Sequence, residues 1–526
     1  MNSFYFYLKY KLDAKKIKEI YLYGTGIYAK ELLTFFDAND ISVLALLDDG
    51  FGQNHFDDFD IPILKTDTIE KTKPIVIASR NYQDIIFERL SAMGIENVRI
   101  FKVFEKVPNV SFDEKITLNF TKNKNCNKIN NIFFVGDNTD TPNFGCRATS
   151  IALASILSNS VTLTDRIHRK EILELFSAIP CCENWELYIY SIKKFNKPIY
   201  DDLICRIKKV DAVILNGEGS FIFQSPPRID LHNYLVILYA CIEAGKPFFI
   251  LNFMFTAFAG EPINKELMLQ TLKFLENANA ICVRDNESKQ LIEQNNNKIL
   301  VNYVPDALFT WFEIFNKNDK ILKDMITYSH FSLPFCENNY FNHNLDFLCQ
   351  YMLLSGNSYA RYYKYQAEKS FIKLAIALKN KADELGLKLY LIECCSEDAV
   401  LHTVSKITGI PIIPVTINIY LAGYILANAQ CFVTGRYHPA ILASLGGTPC
   451  VFMGSNSHKT TSLQEVLEIP NNEQMTFSAI PNENEILGII ECAERQIANN
   501  NREKRKIICK NNAILANNII TLLKEE

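Results

Sequence analysis

The chain alternates short, almost continuous apolar runs with longer stretches whose apolar residues recur at helical spacing, and the alternation forms three series. The first holds the runs EIYLY, LALLD, PIVIAS and VRIF, with helical spacing in IYAKELLTFF and YQDIIFERLSAMG. The second holds IFFVGD, SVTLTD, DAVILNG, PFFILNF, AICVRD and ILVNYV. The third holds MITYSHF, LKLYLIE, IPIIPV, AQCFVT and TPCVFM, with a long helix from Ala367 to Leu385 opening a crossover. Strands that are apolar on both faces are those buried on both faces, so each series predicts a parallel sheet covered by helices. The expected fold class is therefore α/β. A Rossmann-like domain spans 1–108, a polar, Asn-rich linker 109–128, and two further Rossmann-like units 129–320 and 321–480. Apolar-striped helices over 481–526 are expected to pack back on the core.

Composition narrows the partners more than the fold. A length of 526 residues suits three domain-sized units, and 48% hydrophobic residues supply their cores. Lys and Arg number 55 against 59 Asp and Glu, a net charge of −4 without a polyanion-binding signature, so nucleic acid is not an expected partner. The 15 cysteines are scattered, with Cys181/Cys182 and Cys394/Cys395 adjacent and no CxxC pair, the usage of reduced thiols acting as small hydrophobes. The opening MNSFYFYLKYKLDAKK lacks the charged-then-apolar order of a signal peptide. The longest uncharged run, 407–435, is broken by Pro411, Pro414, Asn418 and Gly423 and reads as strand, turn, helix and strand. No transmembrane segment is expected. The expected location is cytoplasmic, with peripheral association at the inner face of the membrane left open.

Candidate chemistry concentrates in VTGRYHPAILASLGGTPCVFMGSNSHKT, residues 433–460. The run ending at Val433 predicts a strand, TGRYHP a crossing turn, and AILASL a small-residue helix; TPCVFM is the next strand and leads into His458 and Lys459. Arg436, His438 and Lys459 thus stand at carboxyl strand ends, where open α/β sheets bind anionic ligands. A small phosphorylated or carboxylated molecule is the expected ligand class.

In order along the chain, NIFFVGDNTDTPNFGCRATSIALASIL (131–157), VILNGEGSF (213–221), AICVRDNESKQLI (280–292), VPDALF (304–309) and the RYH segment resemble motifs of the polysaccharide pyruvyl transferase family, over about residues 129–480. The resemblance implies a GT-B-like pair of Rossmann-like lobes facing across a cleft. It also implies transfer of a pyruvyl group from phosphoenolpyruvate to a saccharide, free or lipid-linked, as a ketal. His438 is then the candidate general acid and Arg436 the anion ligand, with Arg284 closing the donor pocket from the other lobe. For Arg284 the structural alternative is an ion pair with Asp285 or a neighbour. Lys459 suits a phosphate, whereas His458 stands between donor binding and a plain loop hydrogen bond. Gly217 and Gly219 fit a turn needing positive φ or close ligand approach, and Ser220 an oxyanion donor. Glu218 is a candidate acceptor contact, as are Asn143 and Gly145 before the helix that opens at Cys146. Asp306 is a candidate base for an acceptor hydroxyl or, equally, a helix cap. The remaining histidines, His55, His168, His232, His330, His343 and His402, share no spacing, and no HExxH occurs, so metal-free catalysis without a cofactor is the expectation.

In the first series Gly24, Gly26 and Ala29 satisfy GxGxxA between strand and helix, and Asp48 follows the second strand. This order resembles the nucleotide-sugar-binding domain of bacterial sugar acetyltransferases, without the hexapeptide repeats that carry their acetyl-CoA site. A nucleotide sugar is the ligand implied for 1–108; the alternative is a structural module sharing the turn. Two other functions fit the same residues: a GT-B glycosyltransferase using a nucleotide sugar, and a non-catalytic scaffold that binds one.

Overall fold

The computed structural model describes residues 2–49, 61–108, 128–316, 350–359, 363–499 and 501–523. The predicted strand MITYSHF, nearly all of the 109–128 linker and His55, His330 and His343 lie outside the described residues. The apolar runs form three sheets, and every described strand pairing is parallel.

The first sheet contains β1 (Glu19–Tyr23), β2 (Ser42–Leu47), β3 (Ile63–Leu64), β4 (Ile75–Ile77) and β5 (Ile100–Lys102), in the order β3-β2-β1-β4-β5. Chain direction across the sheet reverses between β1 and β4, and Gly24 lies at that reversal, with φ +116 beside Ala78. Gly26 caps the helix Ile27–Asp37, so the GxGxxA turn meets the strand-to-helix context it requires. An opening helix, Ser3–Ala14, was not foreseen; Asn2 caps it, and its Tyr7 and Tyr10 pack edge-on against Phe195. Through that contact and the bond from Ser3 to Asn196, residues 171–205 join 1–119 in one compact unit, although they fall within the 129–320 block of the linear reading.

The other compact unit comprises 120–170 and 206–526 and holds the remaining two sheets. One contains β6 (Asn131–Asp137), β7 (Thr162–His168), β8 (Ala212–Ile222), β9 (Phe248–Thr256), β10 (Ala280–Val283) and β11 (Val301–Tyr303), ordered β11-β10-β9-β8-β6-β7. The other contains β12 (Tyr351–Asn357), β13 (Lys388–Ile392), β14 (Ile412–Ile413), β15 (Cys431–Gly435), β16 (Cys450–Met453) and β17 (Thr476–Phe477), ordered β14-β13-β12-β15-β16-β17. The chain reverses direction between β6 and β8 in the first and between β12 and β15 in the second. Such reversals open a crevice beyond the carboxyl ends of the strands.

A single apolar core runs through both lobes, joining Phe134 and Leu251 of one sheet to Leu353 and Phe432 of the other. Each such side chain removed from water contributes about 1.5–3 kcal/mol, so the lobes are bound along their base rather than loosely tethered. The terminal helices pack on the cores: Cys509 and Ala516 of Arg502–Asn517 enter the shared core, and Ile489 and Ala493 of Glu483–Ala498 enter that of the last sheet.

Candidate active site

The two reversals deliver the site. Asn143 and Cys146 follow β6, Glu218 lies within β8, Ser358 follows β12, and Arg436 and His438 follow β15. Together with Arg284 after β10 and Lys459 after β16 they line one cleft, partly open to solvent. Convergent polar groups around a cleft are the arrangement that orients a small substrate.

His438 is the second residue of the helix Tyr437–Leu445 and is buried. Its Nε2 lies 2.9 Å from Arg284 Nη1 and 3.2 Å from Asp306 Oδ2, while its Nδ1 faces Cys146 Sγ at 3.9 Å. Asp306 is fully buried and both oxygens are engaged. Oδ2 accepts from Arg284 at 2.8 Å; Oδ1 accepts from Thr149 at 2.6 Å and from the amide of Leu308 at 2.9 Å, capping the turn Ala307–Trp311. Burial alone would raise the Asp306 pKa, but His438 and Arg284 outweigh it and hold the carboxyl well below the usual carboxylate range. A carboxylate fixed on Nε2 orients the ring and leaves Nδ1 as the nitrogen on the side of Cys146.

Arg436 is pinned on the opposite wall. Its Nη2 and Nε donate to Asp398 Oδ1 at 2.7 and 3.2 Å, Nη1 donates to Glu397 at 3.3 Å, and Nη2 also donates to the Asn357 carbonyl at 3.3 Å. Burial disfavours its charge, but Asp398 outweighs burial and the guanidinium stays protonated. Lys459 Nζ donates to Asn456 Oδ1 at 2.7 Å and Ser358 Oγ at 3.0 Å, both neutral groups. Burial, then Arg436 and Arg284, pull its pKa down to about 7. Arg284 Nε, Tyr437 Oη and Ser457 Oγ are buried without hydrogen-bond partners among the described residues, and all three residues line the cleft. Buried donors left unmatched are costly, and an incoming oxyanion would satisfy them.

The structure revises several sequence assignments. NGEGSF forms no turn: it continues β8 through a bulge opposite Phe253 to Phe255, and the positive φ, 40°, falls on Glu218 rather than on either glycine. Gly217 is required because a Cβ there would meet Phe253 Cβ at 2.5 Å, whereas Gly219 lines the cleft with open space around it. Ser220 is buried against the Tyr234 hydroxyl. Gly145 packs against the base of the His438 side chain, where a Cβ would approach His438 Cβ at 2.7 Å. Asn143 accepts from the Cys146 amide as the cap of the helix Phe144–Ser158. Arg284 pairs with Asp306, not with the adjacent Asp285, whose side chain caps the helix Asn286–Asn295. His458 bridges the lobes, with Nε2 2.8 Å from Asp285 and Nδ1 2.9 Å from Thr256 Oγ1. Burial opposes its protonation, but the Asp285 hydrogen bond prevails and raises its pKa.

Cys146, Arg169, Arg228 and Glu397 are among the cleft residues that escaped the sequence reading. Cys146 lies beside Glu218, and burial followed by Glu218 pushes its thiol pKa well up. Arg169 and Arg228 line the cleft and share the buried Asp230, at 2.7 and 2.6 Å. Glu397 shares Arg436 with Asp398. Cys146 carried a usable signal, three residues beyond a predicted cap at a predicted ligand loop; the others carried none. In the amino-terminal unit, Ala29 is buried and Thr25 Oγ1 donates to Asp48 at 2.7 Å, which brings the fingerprint turn and the acidic residue together.

No curated protein matches the chain in sequence. Among solved structures, UDP-GlcNAc 2-epimerase from Neisseria meningitidis bound to UDP-GlcNAc aligns with 76% of this chain and 100% of its own, at 12% identity and a TM-score of 0.47. A glycosyltransferase from Rickettsia africae aligns with 76% of this chain and 97% of its own, at 14% identity and a TM-score of 0.39. The sequence profile of the polysaccharide pyruvyl transferase family matches residues 143–457, from the Asn143 cap on one wall to Ser457 on the other. With more than half of its length and most of its cleft inside that match, the chain belongs to the polysaccharide pyruvyl transferase family.

Proposed function

We propose that this transferase uses phosphoenolpyruvate to place a pyruvyl ketal on a sugar of a surface polysaccharide or of its lipid-linked precursor. The observation that carries the reading is the pairing of a carboxylate-held imidazole, His438, with cationic and unmatched donors from both lobes around one cleft. In the reaction the methylene carbon takes a proton from His438 and a sugar hydroxyl adds to the adjacent carbon, giving a methyl group and a phosphorylated tetrahedral centre. The carbon–oxygen bond to phosphate then breaks and the second hydroxyl closes the ketal. Of the two hydroxyl protons, one replaces that given to the methyl group and the other leaves on hydrogen phosphate. Lys459 and Arg284 suit the leaving phosphate and Arg436 the carboxylate; Glu218 and Asn143, on the other wall, suit the acceptor. The test mixes the protein with phosphoenolpyruvate and a panel of lipid-linked and nucleotide-linked saccharides. Phosphate released in step with a pyruvylated sugar supports the reading. Loss of a nucleoside diphosphate with phosphoenolpyruvate untouched would replace it with glycosyl transfer.

The lowered pKa of Lys459 gives donor binding a pH signature. Lys459 is charged below about pH 7 and neutral above it. An arriving phosphate dianion favours the charged form, so binding takes up a proton and affinity falls as pH rises above 7, by up to about tenfold per unit. Calorimetry in two buffers of different ionisation heat reads the uptake. In Lys459→Met both the proton uptake and the affinity slope should vanish; an unchanged uptake would remove Lys459 from the donor site.

For the amino-terminal unit we propose a nucleotide-sugar site at Gly24, Gly26 and Asp48. A Cβ at Gly26 meets nothing within 4 Å, so Gly26→Val fits the fold while obstructing a phosphate at the helix start. The full-length variant should lose nucleotide-sugar binding in equilibrium dialysis without a change in melting temperature. Equal binding by the variant would leave the turn a structural element.

A further inference from the structure

Cys146, Glu218 and His438 each offer one ligand atom, and the three atoms lie within 4.8 Å of one another. They come from three different elements: the first turn of the helix Phe144–Ser158, the bulge in β8, and the first turn of the helix Tyr437–Leu445. Each is held from behind. Asn143 caps the helix carrying Cys146, and Asp306 backs the imidazole at Nε2. Asn138 and Asn216 donate to Glu218 Oε1 at 2.7 and 3.2 Å. The neighbouring guanidinium groups are answered elsewhere, Arg284 by Asp306 and Arg169 by Asp230.

We propose that Cys146, Glu218 and His438 form a binding site for a thiophilic divalent cation of the zinc class, with a fourth position open to the cleft. Thiolate, imidazole and carboxylate are the zinc donor set, and three protein ligands with one open position is the arrangement of an accessible site. Imidazole backed by carboxylate is the usual second support of such a ligand. The Cys146 Sγ to His438 Nδ1 separation of 3.9 Å is close to the spacing of two ligands on one tetrahedral metal, and the Glu218 carboxylate would close on that pair to complete the set. Binding exchanges the thiol proton, released to solvent, for the metal–sulfur bond. One nitrogen cannot hold both a metal and a transferable proton, so an occupied site is unable to deliver the proton from His438. The site itself does not rest on the pyruvyl-transfer reading.

Cobalt(II) is the probe. Titrated into the full-length protein, it should give a thiolate-to-cobalt charge-transfer absorption that saturates at about one equivalent and is displaced by zinc. Cys146→Ser, checked for an unchanged melting temperature, should lack the band, and His438→Gln should bind cobalt about tenfold or more weakly. Absence of the band in the wild type, or the same band in Cys146→Ser, would overturn the site whatever reaction the enzyme performs. Undiminished turnover with zinc saturating the site would overturn the exclusion of proton transfer.

Discussion

His438→Gln is expected to lower turnover by about 100- to 10,000-fold while phosphoenolpyruvate affinity stays nearly constant. Glutamine keeps a polar contact with Arg284 and Asp306 but offers no proton to a carbon. The imidazole is attached to the first turn of a fully packed helix, its ring held by Asp306 and its Cβ seated on Gly145, so the variant changes chemistry more than position. Single-turnover measurements separate the steps: donor binding is read from fluorescence or calorimetry, and the chemical step from phosphate release. Near-normal turnover would reduce His438 to a binding residue and turn attention to Cys146, Glu218 and Lys459, further proton carriers in the cleft.

Arg436→Ala is expected to cost about 3–5 kcal/mol of folding stability, the scale for stranding a buried charge by removing its partner. Asp398 is fully buried, and its Oδ1 takes two bonds from this guanidinium while Oδ2 caps the Cys394 amide at 3.0 Å. A parallel loss of about 2–4 kcal/mol in donor binding is expected if the remaining face of Arg436 holds the donor carboxylate. Arg436→Ala combined with Asp398→Asn separates the two effects. Denaturant midpoints should recover most of the stability in the double variant, because no buried charge is left unpaired, while donor affinity stays weak. Recovery of affinity as well would assign Arg436 a purely structural task.

Strand position was legible because a fully buried parallel strand writes a continuous apolar run, as in most of β6, β9 and β15 and in the AVIL opening of β8. The strand β12 was missed although it is central to its sheet, because YMLLSGN passes from apolar to Ser-Gly-Asn within its own length and so reads as a turn. NGEGSF was misread for the converse reason. Two glycines suggested chain reversal, whereas one of them admits the Phe253 side chain and the bulge falls on Glu218. At the site, the basic residues could be read from their places at strand ends. Their carboxylate partners could not, since Asp398 and Asp306 reach Arg436 and Arg284 by pairings set in space rather than in sequence. The same holds for Arg169, which reaches Asp230 from a distant segment to join its near neighbour Arg228.

Asp306 is at once the cap of a turn whose Ala307, Leu308, Phe309 and Trp311 are buried in the shared core, and the anchor of the imidazole. One oxygen serves the fold and the other serves the chemistry. A relative that had abandoned its reaction would still need the first, so an aspartate here, and the arginine answering it, would survive in an inert descendant. Lys459 is differently placed: it is desolvated, lowered in basicity and bonded to neutral groups, an arrangement that benefits no folded chain until an anion arrives. When chains of this architecture are sorted into working and lapsed enzymes, the informative position is therefore the lysine that the fold would do better without.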